Sequence, residues 1–376
     1  LALIPRFAAG AENTLTIIYT GGLQGQLEPC GCSPKSDFGG VARMAGYLTA
    51  HRDALSPYII VDAGNFTGDV TPQGRLKAEA MIKALRLIGY DAVAVSGNER
   101  QFPGDFLRPL IREHALPVVS DAPGYASSLS FERDGFSMQV STDPARPEEG
   151  RVNVLLTHLS VEAAKDMKGW NVIITSSGEE REEPLTVNGT VIVSGSPKGK
   201  KLGLLTLRKD SEGALTFTHA WQLVGNDLQE DGPVRSVLNE YDRSVAALMK
   251  ETEPLPGTTF TGASACAACH QPFFKQWQHT RHATAFASLQ AVGKSEDPEC
   301  IVCHVVGFNE PGGFYSLDAT PDLPDVQCES CHGLNREHLS DFSPMPPVTE
   351  RTCLTCHTQE NSPEFDYPRY LEKVRH

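Results

Sequence analysis

The 376-residue chain lacks any long hydrophobic run. A transmembrane helix needs about 20 mainly apolar residues, so the sequence predicts no membrane-spanning segment. Positive charge is also scarce, because 33 Lys and Arg stand against 47 Asp and Glu, for a formal net charge of −14. Such acidity disfavours nucleic acid as a partner and favours proteins that present basic patches.

Residues 259–376 are poor in sustained apolar repeats, so side chains alone could not build a core for a segment of this length. The same residues hold 8 of the 10 cysteines and 8 of the 12 histidines. Pro254–Gly257 interrupts the chain just before them and places a boundary near residue 258. We therefore predict a first domain over 12–225, a helical linker over 226–258 and a second domain over 259–376. Residues 1–11 are typical of a signal-peptide remnant or a flexible apolar N terminus.

The cysteines of the second domain follow one pattern, Cys-x-x-Cys-His, which occurs four times. This is the attachment pattern of c-type haem, in which two thiols bond to the porphyrin and the next histidine binds the iron. The sequence therefore predicts four covalently bound haems c, whose bulk replaces the missing aliphatic core. The predicted attachment residues are Cys266, Cys269, Cys300, Cys303, Cys328, Cys331, Cys353 and Cys356, and the proximal histidines are His270, His304, His332 and His357.

Four further histidines lie in the same segment: His279, His282, His338 and His376. Eight imidazoles for four irons match complete bis-histidine ligation, which favours electron transfer over chemistry at the metal. An iron with one histidine would be open to other ligands, and Met345 is a further candidate for its sixth position.

Several motifs of residues 262–376 form a wider pattern. They include Ser264–His270, Thr280–Ala283 and Val326–Gly333, with His338 following. In these motifs the segment resembles the cytochrome c-554 family of tetrahaem proteins. The resemblance implies that His282, His338 and His376 are distal ligands and that one haem can be five-coordinate. His279 lies outside the shared pattern and is the weakest candidate.

Before residue 225, short apolar runs alternate with helical patterns, as in an α/β fold. One helix is predicted where Leu76, Ala80, Ile82 and Leu85 share a face and Gly89 follows as the terminator. Further motifs of this region are Leu15–Tyr19, Gly39–Arg43, Val61–Gly64, Gly97–Glu99 and Thr157–His158. In these the region resembles the calcineurin-like metallophosphoesterases of the 5′-nucleotidase branch. The resemblance implies a layered α/β/β/α sandwich followed by the small, mainly helical and loop-rich tetrahaem domain.

The metal ligands of those hydrolases are mostly replaced. Gln24 stands in place of the opening histidine, Asn65 in place of the bridging aspartate and Glu99 in place of the catalytic histidine, while Ser176-Ser-Gly178 replaces the late Gly-His-x-His. Asn98 and His158 match the pattern, but two neutral ligands cannot hold a dimetal pair. We therefore predict an inactive hydrolase domain in which Asp62 and Asp91 are structural.

The two cysteines outside the second domain are Cys30 and Cys32, on a glycine-rich loop. Three interpretations stay open. They form a disulfide, they form a soft-metal or sulfur-substrate site with His158 nearby, or they are a free pair without function.

Together these features predict an exported, periplasmic or extracellular cytochrome that relays electrons between redox partner proteins, with the first domain serving docking or assembly. An electron carrier is favoured over an enzyme. One alternative is a reductase or oxidase of a small nitrogen or sulfur compound at an open haem. Another is a subunit of a homo-oligomeric extracellular cytochrome filament.

Overall fold

The computed structural model describes residues 13–29, 32–257, 260–334 and 336–375. The chain divides into two compact units. The first comprises Leu1–Pro29 and Asp37–Tyr241, and the second comprises Cys30–Ser36 and Asp242–His376. The short loop that carries the Cys-Gly-Cys motif is therefore grouped with the carboxy-terminal part of the chain.

The described part of the first unit contains twelve strands. In chain order they are β1 (Asn13–Thr20), β2 (Tyr58–Asp62), β3 (Ala92–Ala94), β4 (Val118–Val119), β5 (Ser128–Arg133), β6 (Phe136–Ser141), β7 (Val152–Thr157), β8 (Val172–Thr175), β9 (Leu185–Val187), β10 (Thr190–Ser194), β11 (Lys201–Lys209) and β12 (Leu215–Leu223). They form two six-stranded sheets, ordered β12-β11-β1-β2-β3-β4 and β5-β6-β7-β8-β10-β9. Both sheets are mixed. In the first, β1 to β4 are parallel, and β11 and β12 add antiparallel pairs on the β1 side. In the second, β6, β7, β8 and β10 are parallel, and β5 and β9 form an antiparallel pair at each edge.

One hydrophobic core lies between the two sheets. Alternate residues of β1, such as Ile17, are fully buried with alternate residues of β7, such as Leu156. Because side chains alternate along a strand, Ile18 belongs to the opposite face, and it is buried as well. Both faces of the sheet are therefore covered, which gives the layered α/β/β/α sandwich.

Helices cover the outer faces of the sheets. Those of the first unit are α1 (Val41–Leu55), α2 (Pro72–Ile88), α3 (Gly104–Glu113) and α4 (Val161–Ala164), with 3₁₀ turns at Gly97–Gln101 and Pro197–Gly199. Gly89 ends α2 at φ 89°, as expected from the sequence, and at the other end the Thr71 hydroxyl accepts from the Gly74 N–H at 3.0 Å. That prediction is confirmed. A longer helix, α5 (Gly232–Glu251), crosses the division between the units.

The second unit consists of short helices joined by irregular segments. They are α6 (Ala263–Ala267), α7 (Gln271–Trp277), a 3₁₀ turn (Arg281–Thr284), α8 (Ala285–Ala291), α9 (Pro298–Ile301), α10 (Cys328–His332), α11 (Arg336–Asp341), α12 (Glu350–Leu354) and α13 (Tyr367–Val374). Isolated helices shorter than about 12 residues are marginal in water, so these depend on what packs against them.

The buried side-chain core of the second unit is small. Among the described residues, one cluster of this unit contains Phe286, Ile301, Val305, Val306, Phe314 and Leu323. Across the described residues, none of the helices has both the length and the apolar character needed to cross a bilayer.

Candidate haem sites and the degenerate metal site

Each Cys-x-x-Cys-His pattern folds as a helical turn at α6, α9, α10 or α12. In the first and fourth patterns the histidine N–H donates to the carbonyl of the first cysteine, at 2.9 Å in both. Residues three and four positions apart share one face of a helix. Both thiols and the imidazole of a pattern are therefore presented on the same side.

Hydrogen bonds between thiols bring different patterns into contact. Cys266 of the first pattern contacts Cys328 of the third, and Cys303 of the second contacts Cys356 of the fourth. Cys331 of the third pattern is also close enough to the fourth-pattern thiols for their charges to raise its pKa, although burial raises it more. The four patterns are thus contiguous in the order first, third, fourth, second.

The eight cysteines of the patterns are not disulfide-bonded, and all except Cys269 are half-buried. The hydrogen bond with Cys303 lowers the pKa of the Cys356 thiol to about 6. The hydrogen bond with Cys266 likewise lowers the pKa of Cys328.

Two pairs of imidazoles face each other. The ring centroids of His270 and His338 are 5.8 Å apart, and those of His282 and His357 are 6.2 Å apart. A metal–imidazole nitrogen bond is about 2 Å long, so two imidazoles on opposite sides of one metal ion have centroids roughly 6 Å apart. Both pairs therefore have the spacing of axial ligands to a shared iron.

Hydrogen bonds and burial prepare these rings for metal binding. His338 Nδ1 lies 2.7 Å from the Ser343 carbonyl, and His304 Nδ1 lies 2.7 Å from the Ala285 carbonyl. A bond of this kind orients the ring of a metal-binding histidine. Burial lowers the pKa of His282, as does the nearby His357, whose own pKa burial also lowers. A lowered pKa favours the neutral imidazole, which is the form that binds metal.

Large apolar side chains around these histidines are exposed. Phe342 is 76% exposed and Leu339 is 50% exposed, both near His338 in the chain, and Leu354 of the fourth pattern is 46% exposed. Exposed apolar groups of this size usually mark a binding surface. Together with the thiols and the paired imidazoles, they fit a covalently attached porphyrin.

The remaining candidate ligands are placed less favourably. The His279 side chain is exposed, and within the described residues its ring makes no contact with another histidine. Met345 is half-buried in the irregular segment between α11 and α12. His376 lies outside the described residues. No second imidazole pairs with His304 in the part of the chain that the structure describes.

The positions of the first unit that resemble a hydrolase metal site contain a hydrogen-bonded polar network centred on Glu99. Its carboxylate accepts from the backbone N–H groups of Asn65 at 3.0 Å, Thr67 at 2.8 Å and Ser96 at 3.2 Å, and from the Thr67 hydroxyl. Glu99 is buried, and this burial raises its pKa while the donors act in the opposite direction. Its oxygens are therefore directed at the protein backbone.

The amide of Asn65 is used in the same way. Its Oδ1 accepts from the Asn98 N–H at 2.8 Å, and its Nδ2 donates to the Ser176 carbonyl at 3.0 Å. Asn98 in turn donates from Nδ2 to the Thr67 carbonyl at 3.1 Å. Positions that correspond to metal ligands in the resembled hydrolases thus connect the ends of neighbouring strands.

Asp62 and Asp91 stabilise strand ends. Asp62 accepts from the Thr20 hydroxyl at 2.6 Å and from the Gly64 N–H at 2.8 Å, and burial raises its pKa to about 7. Asp91 accepts from the Ile60 N–H at 2.8 Å and pairs with Arg133 at 2.9 Å. Both carboxylates have structural partners.

Of the other residues singled out in the sequence, His158 and Gln24 are exposed. Cys32 is also exposed, and it is disulfide-bonded. A disulfide sulfur is not a thiolate ligand, so this state of Cys32 fits the disulfide interpretation. Cys30 lies outside the described residues.

Residues 265–333 match the family model described as cytochrome c554 and c-prime. The chain is also 35% identical over 97 residues to the cytochrome c-554 of Nitrosomonas europaea, which covers 22% of this chain and 41% of that protein. The carboxy-terminal region resembles the cytochrome c554 family. The chain spans less than half the length of this curated relative. The family is one of c-type cytochromes, which carry haem c covalently.

The first unit resembles solved phosphoesterases. The 5′-nucleotidase precursor of Thermus thermophilus matches with a TM-score of 0.54 and 18% identity, over 67% of this chain and 63% of that one. The NAD nucleotidase of Haemophilus influenzae has a TM-score of 0.54 and 15% identity, over 67% and 64%. A calcineurin-like phosphoesterase of Bacillus subtilis has a TM-score of 0.50 and 16% identity, over 62% and 98%. At these identities the likeness establishes the fold alone, and both predicted resemblances are confirmed.

Sequence reasoning missed two features of these sites. It noted Glu99 as a replacement but did not predict its role as the hub of the polar network. It also left the histidine pairing undetermined. An ionisable residue between buried apolar runs was the available signal for Glu99, whereas the pairing carries no local signal.

Proposed function

We propose that this chain is a tetrahaem c-type cytochrome that relays electrons between redox partner proteins. The observation that carries the proposal is the contact between the four Cys-x-x-Cys-His patterns, made by Cys266 with Cys328 and by Cys303 with Cys356. Haem c supplies reversible one-electron chemistry when it is bound. The chain's own residues attach it, hold its iron and set its surroundings.

The paired imidazoles support specific axial ligands. His270 and His338 would hold the iron of the first pattern, and His282 and His357 that of the fourth. The carbonyl partner of His338 fixes its ring orientation and tautomer. Two imidazoles per iron leave no position for a substrate, which favours electron transfer over catalysis at these two sites.

The order of contacts supports a route through the chain. The third pattern touches the first through Cys266 and Cys328 and lies next to the fourth through Cys331, and the fourth touches the second through Cys356 and Cys303. Electrons would therefore pass in the order first, third, fourth, second or in reverse. The third pattern is an interior position of this route and the second pattern is a terminal one.

This difference defines the test. In the intact protein, mass spectrometry should find four haems, and rapid reduction should be followed by electron equilibration among them. C328S/C331S, which removes the third haem, should slow equilibration between the first and fourth sites by more than tenfold. C300S/C303S, the matched control, should leave that step unchanged. Equal rates in the two variants would contradict the route, and a chain without haem would contradict the function.

The first unit is proposed to be inactive as a hydrolase and to serve docking or assembly. The use of Glu99, Asn65 and Asn98 as hydrogen-bond partners for strand ends supports this role. The net charge of −14 favours redox partners with basic docking patches. Export to the periplasm or the cell exterior belongs to the same proposal, since c-type haem is attached there in bacteria.

A second function, reduction or oxidation of a small nitrogen or sulfur compound, is favoured at one site only. The His304 ring is held by the Ala285 carbonyl, and no second imidazole pairs with it among the described residues. An iron there would have an open position. Binding of cyanide or nitrite to one haem in four would support this function, and wholly low-spin spectra that ignore both ligands would reject it.

A further inference from the structure

The third haem pattern carries an acidic residue, Glu329, between its two cysteines. Its carboxylate binds the backbone that leads into the first pattern. The Thr261 N–H donates to both carboxylate oxygens at 3.1 Å, the Thr261 hydroxyl donates to Oε1 at 3.2 Å, and the Gly262 N–H donates to Oε2 at 2.9 Å. Gly262 immediately precedes α6, the helix that contains Cys266. Glu329 therefore joins the third pattern to the start of the first.

A buried glutamine stabilises the same junction. Gln327 is 6% exposed, and its Oε1 accepts from the N–H of Ala263, the first residue of α6. Its Nε2 donates to the Asp322 carbonyl at 2.8 Å and to the Pro324 carbonyl at 2.6 Å. Gly262 has φ 77°, and a β-carbon there would lie 2.7 Å from the Asp322 carbonyl oxygen. The two segments thus approach so closely that glycine is required at this position.

Glu329 differs from Gln327 in its charge, and this charge acts on both patterns. The contact with Cys328 and burial raise the pKa of Cys266 most, and the Glu329 carboxylate raises it further. The contact with Cys266 lowers the pKa of Cys328, while burial and the Glu329 carboxylate act in the opposite direction. Glu329 is half-buried, so water screens its charge only in part. A negative charge therefore lies close to the attachment points of two haems.

We propose that Glu329 is a positioning residue for electron transfer between the first and third haems. The inference rests on the proposed function. Through its hydrogen bonds Glu329 would hold the two attachment segments together. Its charge would favour the ferric state of both irons, because ferric iron carries one more positive charge than ferrous iron.

Two conservative substitutions in the full chain with four haems separate the charge from the geometry. E329Q removes the charge and keeps the length of the side chain. At a fixed ambient potential, the ferrous-to-ferric ratio of the first and third haems should therefore rise about threefold or more. E329D keeps the charge but is one methylene group shorter, so it should change this ratio less than about twofold. It should slow electron exchange between the two haems severalfold, because the shorter side chain no longer reaches Thr261 and Gly262.

Proton magnetic resonance of the haem methyl groups measures both quantities, because it resolves individual haems and their exchange during stepwise reduction. E350Q is the matched control. Glu350 is the exposed first residue of α12, and burial and its carboxylate raise the pKa of Cys353 in the fourth pattern. E350Q removes the same charge from a different pattern, so the first and third haems should behave as in the wild type.

The outcomes separate this inference from the function on which it rests. Wild-type ratios in E329Q, or an equal shift of all four haems, would reject the effect of the charge. Exchange that is equally fast in E329D and the wild type would reject the positioning role. If neither variant attached four haems, Glu329 would be a residue of haem attachment, and the inference would again be wrong. A wild-type chain without haem would reject the proposed function instead.

Discussion

The two units of this molecule bury their interiors in different ways. In the first, side chains such as Ile17 and Leu156 from two facing sheets form one continuous core. In the second, the buried apolar cluster contains six residues, while Phe342, Leu339 and Leu354 are exposed. The side chains of the first unit are sufficient to form its core. Those of the second unit are insufficient, so the second unit depends on a group that the amino acids do not supply.

The polar groups of the two units also differ in where their partners come from. The buried carboxylate of Glu99 is surrounded by donors from its own backbone. In contrast, His270 and His338 face each other at a distance suited to a shared iron. The polar groups of the first unit are therefore used in internal hydrogen bonds, whereas the paired histidines of the second have the spacing that the proposed haem sites require.

The largest expected effect follows from withholding haem attachment. The short helices of the second unit would then have neither length nor core to stabilise them. We expect residues 242–376 to lose nearly all protection from proteolysis and hydrogen exchange, while the described sheets of the first unit keep theirs.

The control is the same chain with haem attached, in which both units should be protected. Equal protection of residues 242–376 with and without haem would remove the contrast on which the comparison rests. Loss of protection in both units would show that the first unit also depends on the second.

A core substitution should produce the opposite pattern. Leu205 of β11 is fully buried between the sheets, so L205A should destabilise the first unit by about 2–5 kcal/mol. Leu223 of β12 is 45% exposed, so the same substitution there should cost less than about 1 kcal/mol. Urea unfolding followed by hydrogen exchange in the strands would measure both, and the haem spectrum should not change in either variant. A cost for L205A as small as that for L223A would contradict a side-chain core.

A feature could be predicted from the sequence where the residues that determine it lie close together in the chain. The end of α2 at Gly89 was predicted from the apolar face and the glycine of one segment. The haem patterns are likewise contiguous, because both thiols and the imidazole must share one turn. The replacements at the hydrolase ligand positions were likewise predicted one position at a time, and the loss of activity that they imply stays a prediction.

Sequence alone was insufficient where residues from distant segments meet. Glu99 is fixed by donors that lie more than 30 residues earlier in the chain, and Lys35 reaches Glu364 across 329 positions. His270 and His338 carry no mutual signal in the chain because their pairing depends on how short helices pack. The number of histidines predicted two imidazoles per iron but could not identify the pairs.

A smaller expected effect is a pH dependence of folding stability that belongs to the first unit. Burial raises the pKa of Asp62 from 3.8 to about 7, so the folded state binds a proton that the unfolded state releases above its own pKa. The stability of the first unit should therefore be greatest below about pH 4 and fall toward pH 7, by at most about 1.4 kcal/mol per pH unit. D62N should flatten this slope.

Hydrogen exchange of β2 peptides at several pH values isolates this effect from the haem unit. The substitution keeps the shape of the side chain, and Thr20 and Gly64 remain as hydrogen-bond partners. A slope in D62N as steep as in the wild type would assign the pH dependence to another group and leave Asp62 with a purely geometric role.

Substitution of the distal histidines should have the smallest effect on folding. It should change the second unit alone, and sharply. In H282A one haem in four should change from low-spin to high-spin, because His282 faces His357 at axial spacing and its removal opens that iron. H279A, the same substitution three residues earlier at an exposed ring, should leave the spectrum unchanged. Paramagnetic resonance at equal haem content measures both variants. If H279A rather than H282A produced the high-spin signal, the pairing of His282 with His357 would be wrong. The fourth site would then not be a closed, electron-transferring site, and its contrast with the backbone-filled site of the first unit would be lost.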